Sequence, residues 1–169
     1  MAAIIRNRQW VQDSWRLLEL SADGDPPRIP DDGDIIVPLA LWERERETLS
    51  VRDGRVGVWL QSSEGPERIV ADLKRLPLVA VHFPKAVDGR GYSTARLLRE
   101  RYGYRGELRA IGDVQRDQLL FLSRCGFDAF ALKDGANPQA ALAAFTDFSE
   151  AYQGSVENPL PLFQRRAAL

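Results

Sequence analysis

The sequence is poor in the residues that build disulfides and metal sites. Its 169 residues include one cysteine, Cys125, and one histidine, His82. A single cysteine excludes an internal disulfide and a cysteine metal cluster, as is typical of proteins from a reducing compartment. No pair of histidine, cysteine or carboxylate residues has the spacing of metal ligands. We therefore expect a cytoplasmic protein without a metal site.

The sequence also lacks an excess of charge and any long apolar run. Lysine and arginine number 23 against 24 aspartate and glutamate residues, which leaves a net charge of -1. This balance gives no overall field to steer the protein onto nucleic acid or an acidic membrane, so neither is an expected partner. Ile4 and Ile5 are followed at once by Arg6 and Arg8, so we expect no signal peptide or membrane span.

Short apolar segments recur at regular intervals from Ile35 onward, each bounded by proline, glycine or aspartate. They cover residues 35–37, 56–60, 78–83, 108–111 and 129–132. Helical patterns lie between them; one opens at Pro66, and another follows Asn137 with Pro138 in its first turn. Strands that are buried on both faces and separated by amphipathic helices predict a parallel sheet of about five strands.

The predicted fold is a three-layer open α/β sheet with helices on both faces. A closed eight-unit barrel normally takes about 250 residues, so the alternative for this chain is an incomplete β/α barrel. We place the α/β domain at residues 35–153, after an N-terminal arm and loop at 1–34 and before a C-terminal tail at 154–169. Within the arm, residues 15–20 form a predicted short strand and residues 23–34 a surface loop.

The candidate site lies in the loops that follow the third and fourth predicted strands. Ligands of open parallel sheets bind beyond the carboxyl ends of the strands, where helices begin. The first loop supplies Lys85 and Arg90 as donors for an oxyanion, with Ser93 as a predicted helix cap. The supporting residues around them are Asp88, Gly89, Gly91 and Tyr92.

Two other interpretations of this loop stay open. In one, the glycines make a turn and Arg90 pairs with Asp88 or Asp113. In the other, the segment from Gly89 to Thr94 is a dinucleotide fingerprint, with Asp113 as the ribose-binding acid. The segment departs from that fingerprint because Thr94 replaces the third small residue and the first glycine lies too far from the strand.

The titratable candidates lie in the second loop and near the strand ends. Asp113 is a candidate catalytic carboxylate, with a helix cap as the alternative role. Arg116 is a further candidate for anion binding, and Asp117 follows it in the same predicted turn. His82 is a candidate proton donor or a hydrogen-bonded core residue. Cys125 is predicted to be a packed thiol on the buried face of a helix.

No cofactor is evident in the sequence. It carries no Walker lysine and no serine or cysteine nucleophile with a recognisable base. Attachment motifs for haem, flavin and iron–sulfur clusters are also missing. We therefore expect no redox cofactor on this chain.

Three sequence blocks carry a resemblance to a known family. They are DGRGYSTARLLR at 88–99, GELRAIGDV at 106–114 and DQLLFLSRCGFDAF at 117–130. Through them the chain resembles an uncharacterised bacterial family labelled as probable oxidoreductases of sulfite reduction, with a match from about residue 35 to residue 148. The positions that this resemblance marks for a shared function are Asp88, Arg90, Tyr92, Ser93, Arg96, Arg109, Asp113 and Asp117.

The resemblance implies a place in assimilatory sulfur metabolism, because such proteins are typically encoded beside the haem-containing sulfite reductase subunit. That subunit is the expected partner, and sulfite or sulfate is the expected anion. Since no redox motif is visible, we expect an accessory role in docking, substrate delivery or control of electron transfer. The alternatives are a small nucleotide- or phosphate-binding enzyme, with Asp113 and His82 as acid–base groups, and a non-catalytic interaction domain.

Overall fold

Eight strands form one sheet in the computed structural model, which describes residues 3–20, 27–133 and 135–167. In chain order the strands are β1 (Ala3–Arg6), β2 (Gln9–Gln12), β3 (Arg16–Leu17), β4 (Ile35–Pro38), β5 (Val56–Leu60), β6 (Leu78–Phe83), β7 (Glu107–Gly112) and β8 (Ala129–Phe130). The last five of them lie at the five apolar segments of the sequence, which are therefore confirmed as strands; β8 covers only the first two residues of 129–132.

The helices are short. They are α1 (Leu39–Arg44), α2 (Arg46–Val51), α3 (Arg90–Arg96), α4 (Leu119–Arg124), α5 (Pro138–Ala143) and α6 (Leu162–Ala167). Of these, α1 to α4 lie between parallel strands, and α5 and α6 follow the last strand. Turns of 3-10 helix cover Pro66–Asp72, Arg116–Gln118 and Ala144–Thr146, and a π turn at Leu97–Arg101 continues α3. Asn137 caps α5 as predicted, since its side chain accepts a hydrogen bond from the Ala140 N–H. No helix of the described residues is both long and apolar enough to cross a membrane.

The strand order corrects the predicted open sheet of about five strands. The order is β2-β1-β8-β7-β6-β5-β4-β3, so the six strands from β3 to β8 are parallel and follow one another in chain order. An open doubly wound sheet requires a reversal of strand order, and this sheet has none from β3 to β8. The sheet instead curls into a half-barrel, the predicted alternative, with the β1–β2 hairpin added antiparallel to β8.

The two faces of the sheet also differ from the predicted three layers. Alternate strand residues such as Val58, Val81 and Ala110 point into the large core, where the helices pack. Their neighbours, such as Trp59 and Ala80, form a second, smaller cluster on the concave face. This face is covered by the N-terminal segment and not by helices. Right-handed crossovers that all advance in one direction place the helices between the parallel strands on the same side.

Residues 3–20 are integrated into the sheet at both of its ends. β1 pairs with β8, and β3 pairs with β4, so the segment runs from one end of the half-barrel to the other. On the way, Trp15 and Leu20 pack on the concave cluster. The predicted strand at residues 15–20 is present as β3, which is shorter. Part of the predicted loop at 23–34, residues 23–26, lies outside the described residues.

A buried ion cluster fixes this segment to the concave face. Arg109 on β7 is 2% exposed and contacts both carboxylate oxygens of Asp13, at 2.7 and 3.1 Å. Its guanidinium also lies 2.7 Å from Glu107, which approaches Arg6 at 3.7 Å. Because a buried charge requires a partner, this arginine fixes the path of the chain at Asp13.

Candidate functional site

The loops that follow the parallel strands gather at the carboxyl edge of the sheet. We use the term carboxyl edge for the loops after β5, β6, β7 and β8. Ser62 follows β5, residues 85–90 follow β6, and residues 113–118 follow β7. The side chains at this edge form two hydrogen-bonded groups on the loops and a separate cleft on the concave face.

The first group holds Arg90 at the start of α3. Its guanidinium donates to both carboxylate oxygens of Asp88, at 3.0 and 2.7 Å, and to the Ser62 hydroxyl at 3.0 Å. Arg90 and Ser62 hold the pKa of the Asp88 carboxyl well below its usual range. The expected pairing of Arg90 with Asp88 is therefore present. Arg90 still exposes 62% of its side chain, and its Nη1 donates to no residue that the structure describes.

The second group is centred on Asp113, which is not the predicted helix cap. Gln115 caps the following 3-10 turn instead, in a reciprocal arrangement with Gln118. Asp113 accepts a hydrogen bond from the Ala86 N–H at 2.9 Å and lies 2.6 Å from Lys133 Nζ. Lys133 first and the Ala86 N–H second lower the pKa of Asp113. The carboxylate thus joins the loops after β6, β7 and β8.

Gln118 and Tyr92 extend this second group toward the helices. The Gln118 amide donates to the Ala86 carbonyl at 2.7 Å and to the Tyr92 hydroxyl at 3.1 Å. The Tyr92 ring packs against Phe83 and Phe121, with centroids 5.4 and 5.0 Å apart. Burial raises the pKa of the Tyr92 phenol. Tyr92 therefore connects the polar loops to the aromatic part of the core.

The glycines and Ser93 have other roles than those predicted. α3 begins at Arg90, so Ser93 lies within the helix on its exposed side and is not its cap. Gly91 packs against the Phe83 ring, because a Cβ atom there would lie 2.6 Å from Phe83 Cζ. Gly89 has a negative φ and open space around it. Neither glycine provides the tight phosphate-binding turn of a dinucleotide fingerprint.

Three of the remaining candidates do not join the Arg90 group. Arg116 donates to the Ala140 carbonyl at 3.1 Å and pairs with Asp147 at 2.9 Å. Asp117 lies exposed on the surface. Lys85 is also exposed, and none of the ion pairs among the described residues includes it.

His82 lines a separate cleft of about 320 Å³ on the concave face. Its imidazole lies 5.6 Å from the Trp59 ring, between centroids, and the cleft also includes Gln61 and Glu19. Burial lowers the pKa of His82, and the charge of Glu19 opposes this effect. Asp113 does not line this cleft: its backbone N–H donates to the carbonyl of Phe83, the residue after His82, and its carboxylate contacts Ala86 and Lys133.

Several residues of these groups escaped the sequence analysis. Ser62, Gln118 and Lys133 are polar residues in loops, and no local pattern distinguishes them from solvent-exposed residues. Glu19 and Trp59 lie 63 and 23 residues before His82 in the chain, and only the fold brings them to its cleft. The one sequence feature that could have marked Ser62 and Lys133 as site residues is their position, because both follow the carboxyl end of a strand.

The other candidate side chains of the chain are buried or lie apart from these groups. Cys125 is 5% exposed, and burial raises the pKa of its thiol, so the predicted packed thiol is confirmed. Among the described residues, no cluster of three or more histidine, cysteine or carboxylate side chains has the geometry to hold a metal ion. Arg109 belongs to the buried ion cluster, and Arg96 pairs with Glu100 on the surface of α3.

Fold and site together define an α/β half-barrel protein with a hydrogen-bonded loop layer at the carboxyl edge. Residues 57–163 match the model of a protein family. The chain therefore belongs to a family of bacterial proteins of unknown function, DUF934. The matched region extends from β5 into α6 and includes the Arg90 and Asp113 groups. No curated protein matches the chain.

Proposed function

We propose that this protein is an accessory protein of assimilatory sulfite reduction that binds sulfite or sulfate at Arg90. The resemblance of residues 88–99, 106–114 and 117–130 to the sulfite-reduction family motivates the choice of pathway. The loops of these blocks meet at the carboxyl edge, which is where both parallel β/α barrels and open parallel sheets bind ligands. The haem-containing sulfite reductase subunit is the proposed partner.

The geometry of Arg90 carries this proposal. Three hydrogen bonds from Nε and Nη2 to Asp88 and Ser62 fix the guanidinium plane, while Nη1 donates to none of the described residues. A guanidinium held in one orientation loses little conformational entropy when it binds an oxyanion. Lys85, on the same loop, adds a second exposed positive charge. These features support a small, solvent-exposed oxyanion site.

The surroundings of Arg90 also indicate a weak site. Asp88 stays ionised because its pKa is lowered, so its negative charge offsets part of the attraction of Arg90 for an anion. A site of this kind suits an anion that is handed on to a partner better than one that is stored. We therefore propose delivery or docking at the reductase as the role of this edge, with electron transfer left to the reductase.

The test is sulfite reduction by the purified cognate reductase and its electron donor, with and without this protein. Arg90→Gln removes the proposed donor, and Arg101→Gln makes the same charge change on an exposed residue farther along the same helical segment. We expect the wild-type protein and Arg101→Gln to raise the rate, and Arg90→Gln to raise it less. An unchanged rate with the wild-type protein would refute the proposal.

The concave cleft favours a second candidate, a small enzyme acting on a ligand bound beside His82. The imidazole has a lowered pKa, its ring is tilted against the Trp59 indole at 5.6 Å between centroids, and the Glu19 carboxylate lines the same cleft. A neutral histidine in such a cleft is suited to accept a proton. Thermal-melt screening against nucleotides and sugar phosphates tests this candidate. It requires a stabilising ligand whose effect disappears in His82→Gln and persists in Arg90→Gln.

A further inference from the structure

The edge of the sheet opposite the carboxyl edge contains a separate cleft with an apolar floor. The cleft has a volume of about 590 Å³ and lies where α2 ends, β5 begins and the chain approaches β6. Trp42, Leu49, Val56 and Pro77 form its apolar lining. Its volume lies within the range of small-molecule sites, which are mostly apolar with a few polar groups at the rim.

The rim of this cleft is basic. Arg52, Arg55 and Arg75 all line it, and none of the lining residues that the structure describes is acidic. Arg55 is neutralised by Asp34, at 2.6 Å. The charge of Arg52 has no such partner, because its guanidinium donates to the carbonyl oxygens of Gly33 and Pro30, at 2.7 and 3.0 Å.

Arg75 is the rim residue that is free to move toward a ligand. It is exposed, and its side chain appears in none of the hydrogen bonds or ion pairs of the described residues. Arg52, held by two carbonyls, presents a fixed positive charge at the same rim. Asp34 lies close enough to Arg52 for the two charges to interact, but neither Arg52 nor Arg75 is hydrogen-bonded to a carboxylate among the described residues. Arginines of this kind attract an anionic group more strongly than arginines in ion pairs do.

We propose that this cleft binds a small amphipathic anion, with an apolar body against Trp42 and Val56 and one anionic head group between Arg52 and Arg75. Charge complementarity selects the head group, and the apolar floor selects the body. The two head groups that guanidinium binds best are carboxylate and phosphate. This site lies at the opposite edge from Arg90 and does not depend on the proposed role in sulfite reduction.

The test is titration of the full chain with octanoate, octyl phosphate and octylammonium, followed by calorimetry and by the NMR signal of the Trp42 indole N–H. We expect the two anions to bind saturably at one site and to shift the Trp42 signal, with octylammonium inactive. The tighter of the two anions identifies the head group. Arg75→Gln should weaken binding about tenfold, the value of one charge-assisted hydrogen bond.

Arg96→Gln is the matched control, because Arg96 is an exposed arginine on α3 whose partner is Glu100. This variant should bind the anions as the wild-type protein does. The proposal is overturned if neither anion binds saturably, if octylammonium binds equally well, or if Arg96→Gln weakens binding as much as Arg75→Gln. The Arg75 side chain makes no hydrogen bond or ion pair among the described residues, so a loss of binding in Arg75→Gln with an unchanged melting temperature reports on binding.

Discussion

Replacing Arg109 by methionine should destabilise the protein far more than replacing a surface arginine. Methionine keeps much of the length of the side chain and removes its charge. Asp13 and Glu107, whose side chains are 8% and 15% exposed, then lose the guanidinium that neutralises them. Breaking a buried ion pair by removing one partner costs about 3–5 kcal/mol. We expect a loss of this size in the free energy of unfolding.

Urea denaturation followed by tryptophan fluorescence measures this loss. Arg96→Met is the matched control, because the Arg96–Glu100 pair is about half exposed on both sides and such pairs contribute about 0.3–0.5 kcal/mol. In the double variant Asp13→Asn with Arg109→Met, part of the stability should return, since one orphaned charge is removed. If Arg109→Met loses less than about 1 kcal/mol, the ion cluster does not hold the N-terminal segment and the reasoning is wrong.

Three further predictions concern packing and titration. Gly91→Ala should lower the free energy of unfolding by about 1–3 kcal/mol, because its Cβ would meet the Phe83 ring. The control variant Gly89→Ala should change it by less than about 0.5 kcal/mol in the same urea titration. Native Cys125 should react slowly with a thiol reagent at pH 8 and rapidly in urea, since burial raises its pKa; fast native reaction would contradict its packing. The pKa of His82 in the folded protein, measured by NMR, should lie below about 6.5. At a pH between the two pKa values the unfolded chain then binds more protons than the folded protein. The free energy of unfolding should therefore fall as the pH drops from 6.5 through the pKa of folded His82. If His82→Gln shows the same change of stability with pH as the wild-type protein in that range, another group causes the change.

The sequence predicted the parallel strands well because burial on both faces leaves a continuous apolar signal. The segment 78–83 has the same bounds as β6, and 108–111 lies within β7. The β1–β2 hairpin was missed for the opposite reason. The edge strand β2 begins at Gln9 and ends at Gln12, and the two residues between them are only partly buried. The turn of the hairpin places Asn7 and Arg8 at positive φ and contains no glycine.

The half-barrel was not distinguishable from a three-layer sheet by periodicity. In both folds the central strands are apolar on two faces, so the strand residues look alike. The difference lies in what covers the second face, and here it is Trp15 and Leu20, remote in sequence from the strands they cover. Arg109 was the strand residue that indicated a covering segment, because a charged residue in an otherwise apolar strand requires a buried partner.

The candidate site was predictable only where its contacts are local. Asp88 and Arg90 are two residues apart, and their pairing was among the stated alternatives. Ser62 reaches Arg90 across 28 positions, and Lys133 reaches Asp113 across 20, through the parallel order of β5 to β8. Such contacts depend on strand order, which the pattern of a single sequence does not contain.

The N-terminal segment links the stability of the fold to the geometry of the concave cleft. Leu17, Glu19 and Leu20 line the cleft opposite His82, and they follow the anchor at Asp13 by a few residues. The Trp59 indole also donates to the Leu18 carbonyl at 2.9 Å, which holds the same segment against the sheet. We expect the loss of the anchor at Asp13 to leave the segment held only by such contacts near Leu18, so that the carboxylate of Glu19 shifts relative to the imidazole. In Arg109→Met, His82 should lose the opposing influence of Glu19, and its pKa should fall further below its ordinary value if the imidazole stays buried.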